Sequence, residues 1–295
     1  MLLVLKSFGD LVIASTALRS LLPPDGDPMG LAIGSHLGGL AADLGLRPDH
    51  EVPIADGRVP ALFDVRKRGI GAAAASAWRL RRAVAKLPPS RLIVDRLGAR
   101  ERLLVGGRPA AAARGDTGNV YGDYAAMAAR LGFGIAEHHG APTARGGGER
   151  SLGLFPASRM AAKNLPLPLV KRVLDEAERA GWSARLMLLE GERPDLEALP
   201  AARVLPRGFA NMIEAVRSVD LVVSADSLPA HLAEREGRPV FVYSPVPNTY
   251  WLPRSAYRAG RWSLFEGAPD GLRVWLAAAG AGATDARSGS LADVG

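Results

Sequence analysis

A chain of 295 residues, with 48% hydrophobic and 23% charged side chains, is long enough for two globular domains of ordinary composition. It contains no cysteine, which excludes disulfides, thiolate zinc sites and cysteine nucleophiles. Its formal charge of +7 is spread along the chain, and only 6% of its residues are aromatic. An anionic small molecule or an anionic membrane surface is therefore favoured as a partner over nucleic acid.

The first half of the chain alternates short apolar runs with longer amphipathic stretches, a pattern typical of parallel strands joined by crossover helices. The predicted strands are 2–5, 29–33 and 92–94, and the predicted helices are 11–21, 72–87 and 121–131. The first apolar run is short and is soon interrupted by Lys6 and Asp10, so it fits neither a signal peptide nor a membrane span, and we expect a cytoplasmic protein. Segment 137–150 combines Gly, Pro and charged residues and is the predicted linker.

The second half repeats this alternation. The predicted strands are 152–155, 184–189, 221–223 and 240–243, and the predicted helices are 168–180, 209–216 and 228–236. After Trp275 the chain consists mainly of small and polar residues, which predicts a mobile tail over 276–295. We therefore expect two α/β domains in tandem, over 1–140 and 151–275.

In an open parallel sheet, ligands bind beyond the carboxyl ends of the strands, where helix N-termini present free N–H groups. The first junction of this kind is Ser7-Phe8-Gly9-Asp10, where Gly9 permits a tight turn. Asp10 then either caps the following helix or faces an interdomain cleft and acts as a general base on a hydroxyl.

The second junction follows the predicted strand 152–155. Its loop carries Ser158, Arg159 and Lys163. These side chains are either solvated or suited to a ligand that bears phosphate, because a cation and a hydroxyl both bind phosphate oxygens well.

The third junction follows the predicted strand 221–223, which turns through Asp226 and Ser227 into a helix with Pro229 in its first turn. Either Asp226 or Ser227 can cap this helix, and the free N–H groups beside them can receive a diphosphate. His231 lies one turn further on and is either a structural histidine or a ligand contact.

Four stretches carry a family resemblance: GDLVIASTAL, LIVDRLGARERLLVGG, AAKNLP and SADSLPAHLAEREGRPV. In this order they resemble glycosyltransferase family 9, the bacterial lipopolysaccharide heptosyltransferases, over roughly residues 1–265. The resemblance implies the GT-B fold, with two Rossmann-like, doubly wound parallel sheets facing a central cleft. It also implies that ADP-heptose or a similar nucleotide-diphosphate sugar is the donor.

The resemblance assigns roles to individual residues. Asp10 matches the acid that serves as catalytic base, and Lys163 matches the lysine that contacts the donor phosphate. Asp226 and His231 match the acid and the histidine of the late motif, which lines the nucleotide-sugar pocket. From the three junctions and the resemblance together, the residues predicted to bind substrate are Ser7, Gly9, Ser158, Arg159, Glu192, Asp226, Ser227, Leu228 and His231. Among these, Ser158 matches the phosphate loop and Glu192 matches an acid near the adenosine.

The chain departs from the family pattern at three places. Ser227-Leu228 stands where the family has Thr-Gly, and Leu165 stands where it has an aromatic residue. The turn 244–247 reads Ser-Pro-Val-Pro, where the family has a Gly-Pro-Thr-Asp-like sequence. The first change removes the glycine that lets a phosphate approach the backbone closely.

Together these features predict an inverting glycosyltransferase that uses neither a metal nor a cofactor. Asp10 removes the acceptor proton, while Lys163, Ser158 and the helix N-terminus after Asp226 stabilise the leaving diphosphate. The expected acceptor is an anionic glycolipid or glycan, with a peripheral contact to the inner-membrane surface as a further expectation. Two alternatives stay open: a nucleotide-sugar epimerase or hydrolase of the same fold, and a non-catalytic nucleotide-sugar-binding protein.

Other motifs have simpler interpretations. Asp25-Gly26-Asp27 resembles a metal motif but predicts a turn, and His138-His139 is expected to be solvated. Gly69-Ile70-Gly71 follows a basic run rather than a buried strand, so it does not predict a dinucleotide site. The arginines that either face an anionic acceptor or form a solvated helix face are Arg96, Arg100, Arg102 and Arg108.

Overall fold

The computed structural model describes residues 1–19, 21–22, 29–54, 69–135, 150–267 and 270–288. The chain divides into two compact units, Met1–His138 and His139–Gly295. The division falls at the predicted linker, of which residues 137–149 lie outside the described ranges. The predicted turn at Asp25-Gly26-Asp27 and the pair His138-His139 also lie outside them.

The first unit is built on a parallel sheet of five strands. These are β1 (Leu2–Val4), β3 (Leu31–Gly34), β4 (His50–Val52), β5 (Leu92–Val94) and β6 (Ala110–Ala112). Their order is β4-β3-β1-β5-β6, and every pair is parallel. Two short strands, β2 (Leu21–Leu22) and β7 (Gly134–Ile135), form a separate antiparallel pair. In the five-stranded sheet, β3 and β4 lie on one side of β1, and β5 and β6 lie on the other, so the strand order reverses between β1 and β5.

Helices connect these strands: α1 (Phe8–Arg19), α2 (Gly38–Asp43), α3 (Ile70–Ala85), α4 (Ala99–Val105) and α5 (Val120–Arg130). Leu3 and Val94 on the sheet pack in one buried cluster with Leu80 of α3 and Leu104 of α4. This burial holds α3 and α4 against the sheet beside the point of reversal.

The second unit is built on a parallel sheet of six strands. These are β8 (Ser151–Phe155), β9 (Ser183–Leu189), β10 (Ala202–Leu205), β11 (Leu221–Ala225), β12 (Val240–Ser244) and β13 (Trp262–Leu264). Their order, β10-β9-β8-β11-β12-β13, is that of a dinucleotide-binding Rossmann sheet. The order reverses between β8 and β11, which pair in parallel. Both sheets confirm the predicted α/β fold class with Rossmann-like, doubly wound sheets.

The helices of the second unit are α6 (Leu167–Arg179), α7 (Pro194–Glu197), α8 (Phe209–Arg217), α9 (Leu228–Arg235), α10 (Arg254–Arg258) and α11 (Asp270–Ser288). Its core contains the inner strands β8, β11 and β12 together with α6 and α11. None of the helices in the described ranges of either unit is long and apolar enough to cross a membrane.

Helix α11 continues into the segment predicted as a tail. The helix reaches Ser288, and Leu276 is fully buried together with Leu272 in the core of the unit. The indole of Trp182 donates a hydrogen bond to the Leu276 carbonyl at 3.3 Å. The predicted tail therefore does not begin at residue 276, because Leu272 and Leu276 lie one turn apart on a single buried face of this helix. Residues 289–295 lie outside the described ranges.

An ion pair also joins α11 to α6, and a second arginine, from α6, contacts the same carboxylate. Arg273 of α11 donates to Glu176 of α6 at 2.8 and 3.0 Å, and Arg179 lies 2.6 Å from the same side chain. Hydrogen bonding from Arg273 is the main reason that the pKa of Glu176 falls to about 2, and Arg179 lowers it further.

Candidate active site

The reversal point of the second sheet brings two predicted residues into contact. Lys163 lies in a short 3-10 turn (Ala161–Lys163) after β8, and Asp226 follows β11 directly. Because β8 and β11 are parallel neighbours, their carboxyl ends meet at the same edge of the sheet. The Lys163 Nζ lies 2.7 Å from Asp226 Oδ2, although the two residues are 63 positions apart. Asp226 is only 7% exposed, so its charge needs this partner, whereas the Lys163 side chain is 28% exposed and can be reached from solvent.

Main-chain contacts hold Asp226 and Ser227 in place. The Asp226 N–H donates to the Tyr243 carbonyl of β12 at 2.9 Å. Ser227 occupies the N-cap position of α9, but its hydroxyl donates to the Ala157 carbonyl at 3.0 Å instead of capping the helix. The prediction that Asp226 or Ser227 caps α9 with its side chain was therefore wrong, because Asp226 binds Lys163 and Ser227 binds the loop after β8. The first N–H groups of α9 donate no hydrogen bond to the N-cap side chain.

His231 lies one turn into α9 and is buried. Burial lowers the pKa of His231 to about 4; the charge of Asp226 opposes this shift, and that of Lys163 adds to it. The imidazole is therefore neutral at physiological pH and lies within electrostatic reach of the Lys163 and Asp226 pair. The neutral imidazole can donate or accept a hydrogen bond at this edge of the sheet, and it adds no second positive charge.

Hydrogen bonds within the loop after β8 fix its conformation. The Ser158 N–H donates to the Asn164 side-chain oxygen at 2.7 Å, and the Ser158 hydroxyl accepts from the Met160 N–H at 3.3 Å. Arg159 is exposed. Asn164 was not predicted as a site residue, although it follows Lys163 directly in the AAKNLP stretch. By holding the Ser158 end of the loop, it sets where the turn that carries Lys163 begins.

The departures from the family pattern have local explanations. Leu165 is fully buried in the core of the unit, so an apolar side chain there serves packing. Leu228 is the first residue of α9 and is partly exposed, followed by Pro229, which suits the start of a helix. The Ser244 hydroxyl donates to the Val246 carbonyl at 2.8 Å and stabilises the turn after β12.

Glu192 closes a turn after β9. Its carboxylate accepts from the Leu189 N–H at 3.1 Å, and its own N–H donates to the Leu189 carbonyl at 2.9 Å. Neither contact reaches Lys163 or Asp226. The structure therefore gives Glu192 a role in shaping the loop, and its assignment to the adenosine stays a prediction.

In the first unit, Ser7 caps α1. The Asp10 N–H donates to the Ser7 hydroxyl oxygen at 3.2 Å, and the Ser7 hydroxyl donates to Asp10 Oδ2 at 2.9 Å. Helix α1 begins at Phe8, so Gly9 is helical rather than part of a tight turn, and Asp10 is the third helical residue. The cap alternative for Asp10 was therefore wrong. Burial raises the pKa of Asp10, with Asp95 adding to the rise while Ser7 and Lys6 oppose it.

Asp10 lines a cavity of about 130 Å³ at the reversal point of the first sheet. Its apolar wall includes Leu3, Leu80 and Leu104. The charged residues on its wall are Lys6, Asp10, Asp95, Arg96, Arg100 and Glu101. The cavity therefore has both apolar and charged walls, and the carboxylate of Asp10 is among the charged groups.

Lys6 connects two of the other carboxylates of this cavity. Its Nζ lies 3.1 Å from Asp95 Oδ2 and 3.1 Å from Glu101 Oε1. Lys6, Asp95 and Glu101 were not predicted as site residues. The signal was present, because Lys6 and Asp95 each follow a short buried strand, but it became usable only once β1 and β5 were known to be neighbours.

Arg108 does not face the cavity. Its guanidinium donates to the carbonyls of Val84 at 2.9 Å and Leu87 at 3.0 Å, and also to that of Pro88. The proposal that Arg108 binds an acceptor was wrong, because its donors satisfy carbonyls at the end of α3. Arg96 and Arg100 line the cavity, and Arg102 is exposed on α4. Within the described ranges, no group of three or more His, Asp or Glu side chains is arranged to hold a metal ion.

Comparison with known proteins identifies the fold. No family model matches the sequence, and no curated protein matches it. Among solved structures, a glycosyltransferase family 9 protein from Veillonella parvula DSM 2008 superposes with a TM-score of 0.59 at 14% identity, over 89% of this chain and 86% of that one. The E. coli heptosyltransferase WaaC with ADP-2-deoxy-2-fluoro heptose gives 0.54 at 17% identity, over 82% and 88%. WaaC with ADP gives 0.52 at 17% identity, over 82% and 86%. This chain has the GT-B fold that these enzymes share, which confirms the fold implied by the resemblance.

Proposed function

We propose that this protein is a glycosyltransferase that moves a heptose-like sugar from a nucleotide-diphosphate donor, most simply an ADP-sugar, to a glycolipid or glycan acceptor. The observation that carries the proposal is the contact between Lys163 and Asp226 at the reversal point of the second sheet. In a Rossmann sheet this point is where nucleotides bind, and the contact joins a cation to the start of a helix.

The donor side of the reaction belongs to the second unit. A departing diphosphate gains negative charge, which Lys163 and the N–H groups at the start of α9 can stabilise without a metal. Lys163 is partly exposed, so a phosphate can bind its ammonium group while Asp226 stays paired with it. The neutral His231 adds hydrogen-bonding capacity and leaves the positive charge at Lys163.

The acceptor side belongs to the first unit, with Asp10 as the base. The carboxylate takes the proton of an acceptor hydroxyl, and the oxygen forms a bond to the anomeric carbon from the face opposite the leaving group. The bond from that carbon to the diphosphate oxygen breaks, and the diphosphate departs with the electron pair. Inversion of the anomeric centre follows from this single displacement. Burial raises the pKa of Asp10, which makes it a stronger base than an exposed carboxylate.

The donor assignment is tested by calorimetric titration with ADP, ADP-heptose, UDP and TDP. We expect ADP and ADP-heptose to bind, and Lys163→Ala to weaken that binding by about 10- to 100-fold, because hydrogen bonds to charged groups contribute roughly 1.5–3 kcal/mol. Lys171→Ala is the matched control, because Lys171 is exposed on α6. Equal affinity in the two variants, or no binding of any nucleotide, would contradict the donor assignment.

The base is tested separately with Asp10→Asn and ADP-heptose as donor. Turnover should fall by about 10²–10⁴-fold, while ADP affinity stays unchanged, because Asp10 belongs to the other unit. The anomeric configuration of the product, read by NMR, should be inverted. Nucleotide binding without transfer or donor hydrolysis in the unmodified protein would favour the non-catalytic alternative.

A further inference from the structure

The cavity in the first unit matches a small apolar group in size. Its volume is about 130 Å³. For comparison, a protein cavity of about 150 Å³ with apolar walls binds benzene. The space therefore suits a group of the size of a phenyl ring or a short branched alkyl chain.

The apolar part of the cavity wall consists of side chains that are already buried. Leu3 and Val94 belong to strands of the sheet, and Leu80 and Leu104 belong to α3 and α4. Each of these side chains is at most 8% exposed. A hydroxyl placed against them would lose its hydrogen bonds to water without gaining a partner. This part of the wall therefore favours hydrocarbon over a sugar ring, which carries a hydroxyl on most of its carbons.

The charged part of the wall has no excess of positive charge. Three cations and three carboxylates line the cavity, namely Lys6, Arg96 and Arg100, and Asp10, Asp95 and Glu101. Lys6 lies 3.1 Å from both Asp95 and Glu101. An anionic group in the cavity would compete with these carboxylates for the same cations and would be repelled by them. A neutral group does not meet this cost.

Asp10 connects the cavity to the transfer reaction, because its carboxylate is part of the wall. The Ser7 hydroxyl donates to Asp10 Oδ2 at 2.9 Å, so Oδ1 is the oxygen better placed to accept an acceptor hydroxyl. An apolar group held in the cavity would bring a hydroxyl attached to it to this carboxylate. The proton transfer and the displacement at the anomeric carbon are those of the proposed function.

We propose that the acceptor is a neutral alcohol whose reacting hydroxyl is attached to a small aromatic or branched aliphatic group, and that this group fills the cavity beside Asp10. An apolar pocket with a few polar groups on its wall is typical of sites for small organic ligands. The inference deepens the proposed function and rests on it for the donor and the transfer step. Such a hydroxyl occurs either on the lipid part of a glycolipid or on a free small alcohol.

The test titrates the full chain, isotope-labelled at its leucine and valine methyl groups, with benzyl alcohol and with methyl glucoside. Both compounds carry a hydroxymethyl group on a six-membered ring, but only the glucoside has hydroxyls on that ring. We expect benzyl alcohol to shift the methyl NMR signals of Leu80 and Leu104, with a dissociation constant on the order of 1 mM. The glucoside should bind at least about tenfold more weakly, because its ring hydroxyls would be buried without partners.

Transfer is measured with the same two compounds and ADP-heptose as donor. The kcat/KM for benzyl alcohol should exceed that for the glucoside by about tenfold or more. A third acceptor, para-octylbenzyl alcohol, distinguishes the two sources of the hydroxyl. Transfer to it indicates a hydroxyl on a lipid, and transfer to benzyl alcohol alone indicates a free small alcohol.

Val105→Phe should fill part of the cavity, because Val105 lies on its wall. We expect this variant to bind benzyl alcohol about tenfold more weakly and to unfold in urea at an equal or higher midpoint, since the added ring enters open space. Val84→Phe is the matched control, because Val84 is fully buried in the same apolar cluster but does not line the cavity. The same substitution there should lower the urea midpoint, because it overpacks a filled core.

Four results would overturn the inference. They are no shift of the Leu80 and Leu104 signals with benzyl alcohol, equal binding of the glucoside, preferential transfer to the glucoside, and an equal fall of the urea midpoint in Val105→Phe and Val84→Phe. Calorimetric titration with ADP keeps the inference apart from the proposed function. ADP binding and transfer to a glycan without benzyl alcohol binding would refute the inference alone, whereas benzyl alcohol binding without ADP binding would refute the donor assignment.

Discussion

At the scale of single residues, the environment of Asp10 decides how it can act. Its carboxylate shares a cavity with Lys6, Asp95, Arg96, Arg100 and Glu101. Burial raises its pKa, Asp95 adds to the rise, and Lys6 opposes it. Removal of a positive charge and removal of a negative charge from this group should therefore move the pKa of Asp10 in opposite directions.

Lys6→Met should raise the pKa of Asp10 further, because it removes the cation that favours the ionised form. Asp95→Asn should lower it, because it removes a like charge. The acidic limb of the pH profile of turnover should shift upward for the first variant and downward for the second, and carbon NMR of the Asp10 carboxyl should report the same order. Lys86→Met, at an exposed position of the same unit, is the control for loss of a positive charge. Shifts in the same direction in both variants would show that the substitutions act through folding and not through charge.

The raised pKa also has a consequence for stability. The folded state holds the Asp10 proton more tightly than the unfolded chain, whose ordinary pKa is 3.8. This contribution to stability is complete below that value and is lost as the pH rises through the folded pKa. At neutral pH the ionised carboxylate therefore costs the fold free energy. Asp10→Asn should unfold in urea at an equal or higher midpoint than the unmodified protein, and a clearly lower midpoint at neutral pH would contradict this account.

At the scale of elements, substitutions in α11 show how much the packing of this helix stabilises the second unit. Leu276 is fully buried against the core of the second unit, whereas Val274, two residues earlier on the same helix, is 69% exposed. Leu276→Ala should lower the free energy of unfolding by about 2–5 kcal/mol, because it removes buried apolar surface and leaves a cavity. Val274→Ala should change it by less than about 0.5 kcal/mol. Urea denaturation followed by circular dichroism measures both, and similar effects of the two substitutions would contradict the packing of α11.

At the scale of the whole molecule, each unit has its own sheet and its own buried cluster. The contact between Lys163 and Asp226 lies entirely within the second unit. A fragment that contains residues 150–295 should therefore unfold cooperatively and bind ADP with an affinity within about tenfold of that of the full chain. Thermal denaturation and calorimetry would measure this. A fragment that folds but does not bind ADP would indicate that the nucleotide also depends on residues of the first unit.

The local pattern of the sequence predicted the tandem α/β organisation and most of the long elements, although it missed α11. Continuous apolar runs such as those of β8, β11 and β12 indicate buried parallel strands, and their positions agree with the structure. The short sheet strands β4, β6, β10 and β13 were not predicted, and neither was the antiparallel pair of β2 and β7. The residues of the four sheet strands, such as the Ala110–Ala112 run, are mostly partly exposed and carry no strong signal, so pairing with a neighbouring strand decides that they are extended.

The candidate site likewise combines residues that the sequence predicted with contacts that only the tertiary structure shows. The sequence by itself selected Asp10, Lys163 and Asp226 as candidate site residues, because each lies in a junction between an apolar run and the next helix. It could not bring Lys163 to within 2.7 Å of Asp226, nor Lys6 to within 3.1 Å of Asp95. Those contacts depend on which strands are neighbours, and only the crossover connections of the folded sheets make β8 adjacent to β11 and β1 adjacent to β5. Local sequence determines where a strand ends, whereas tertiary structure decides which strand ends meet.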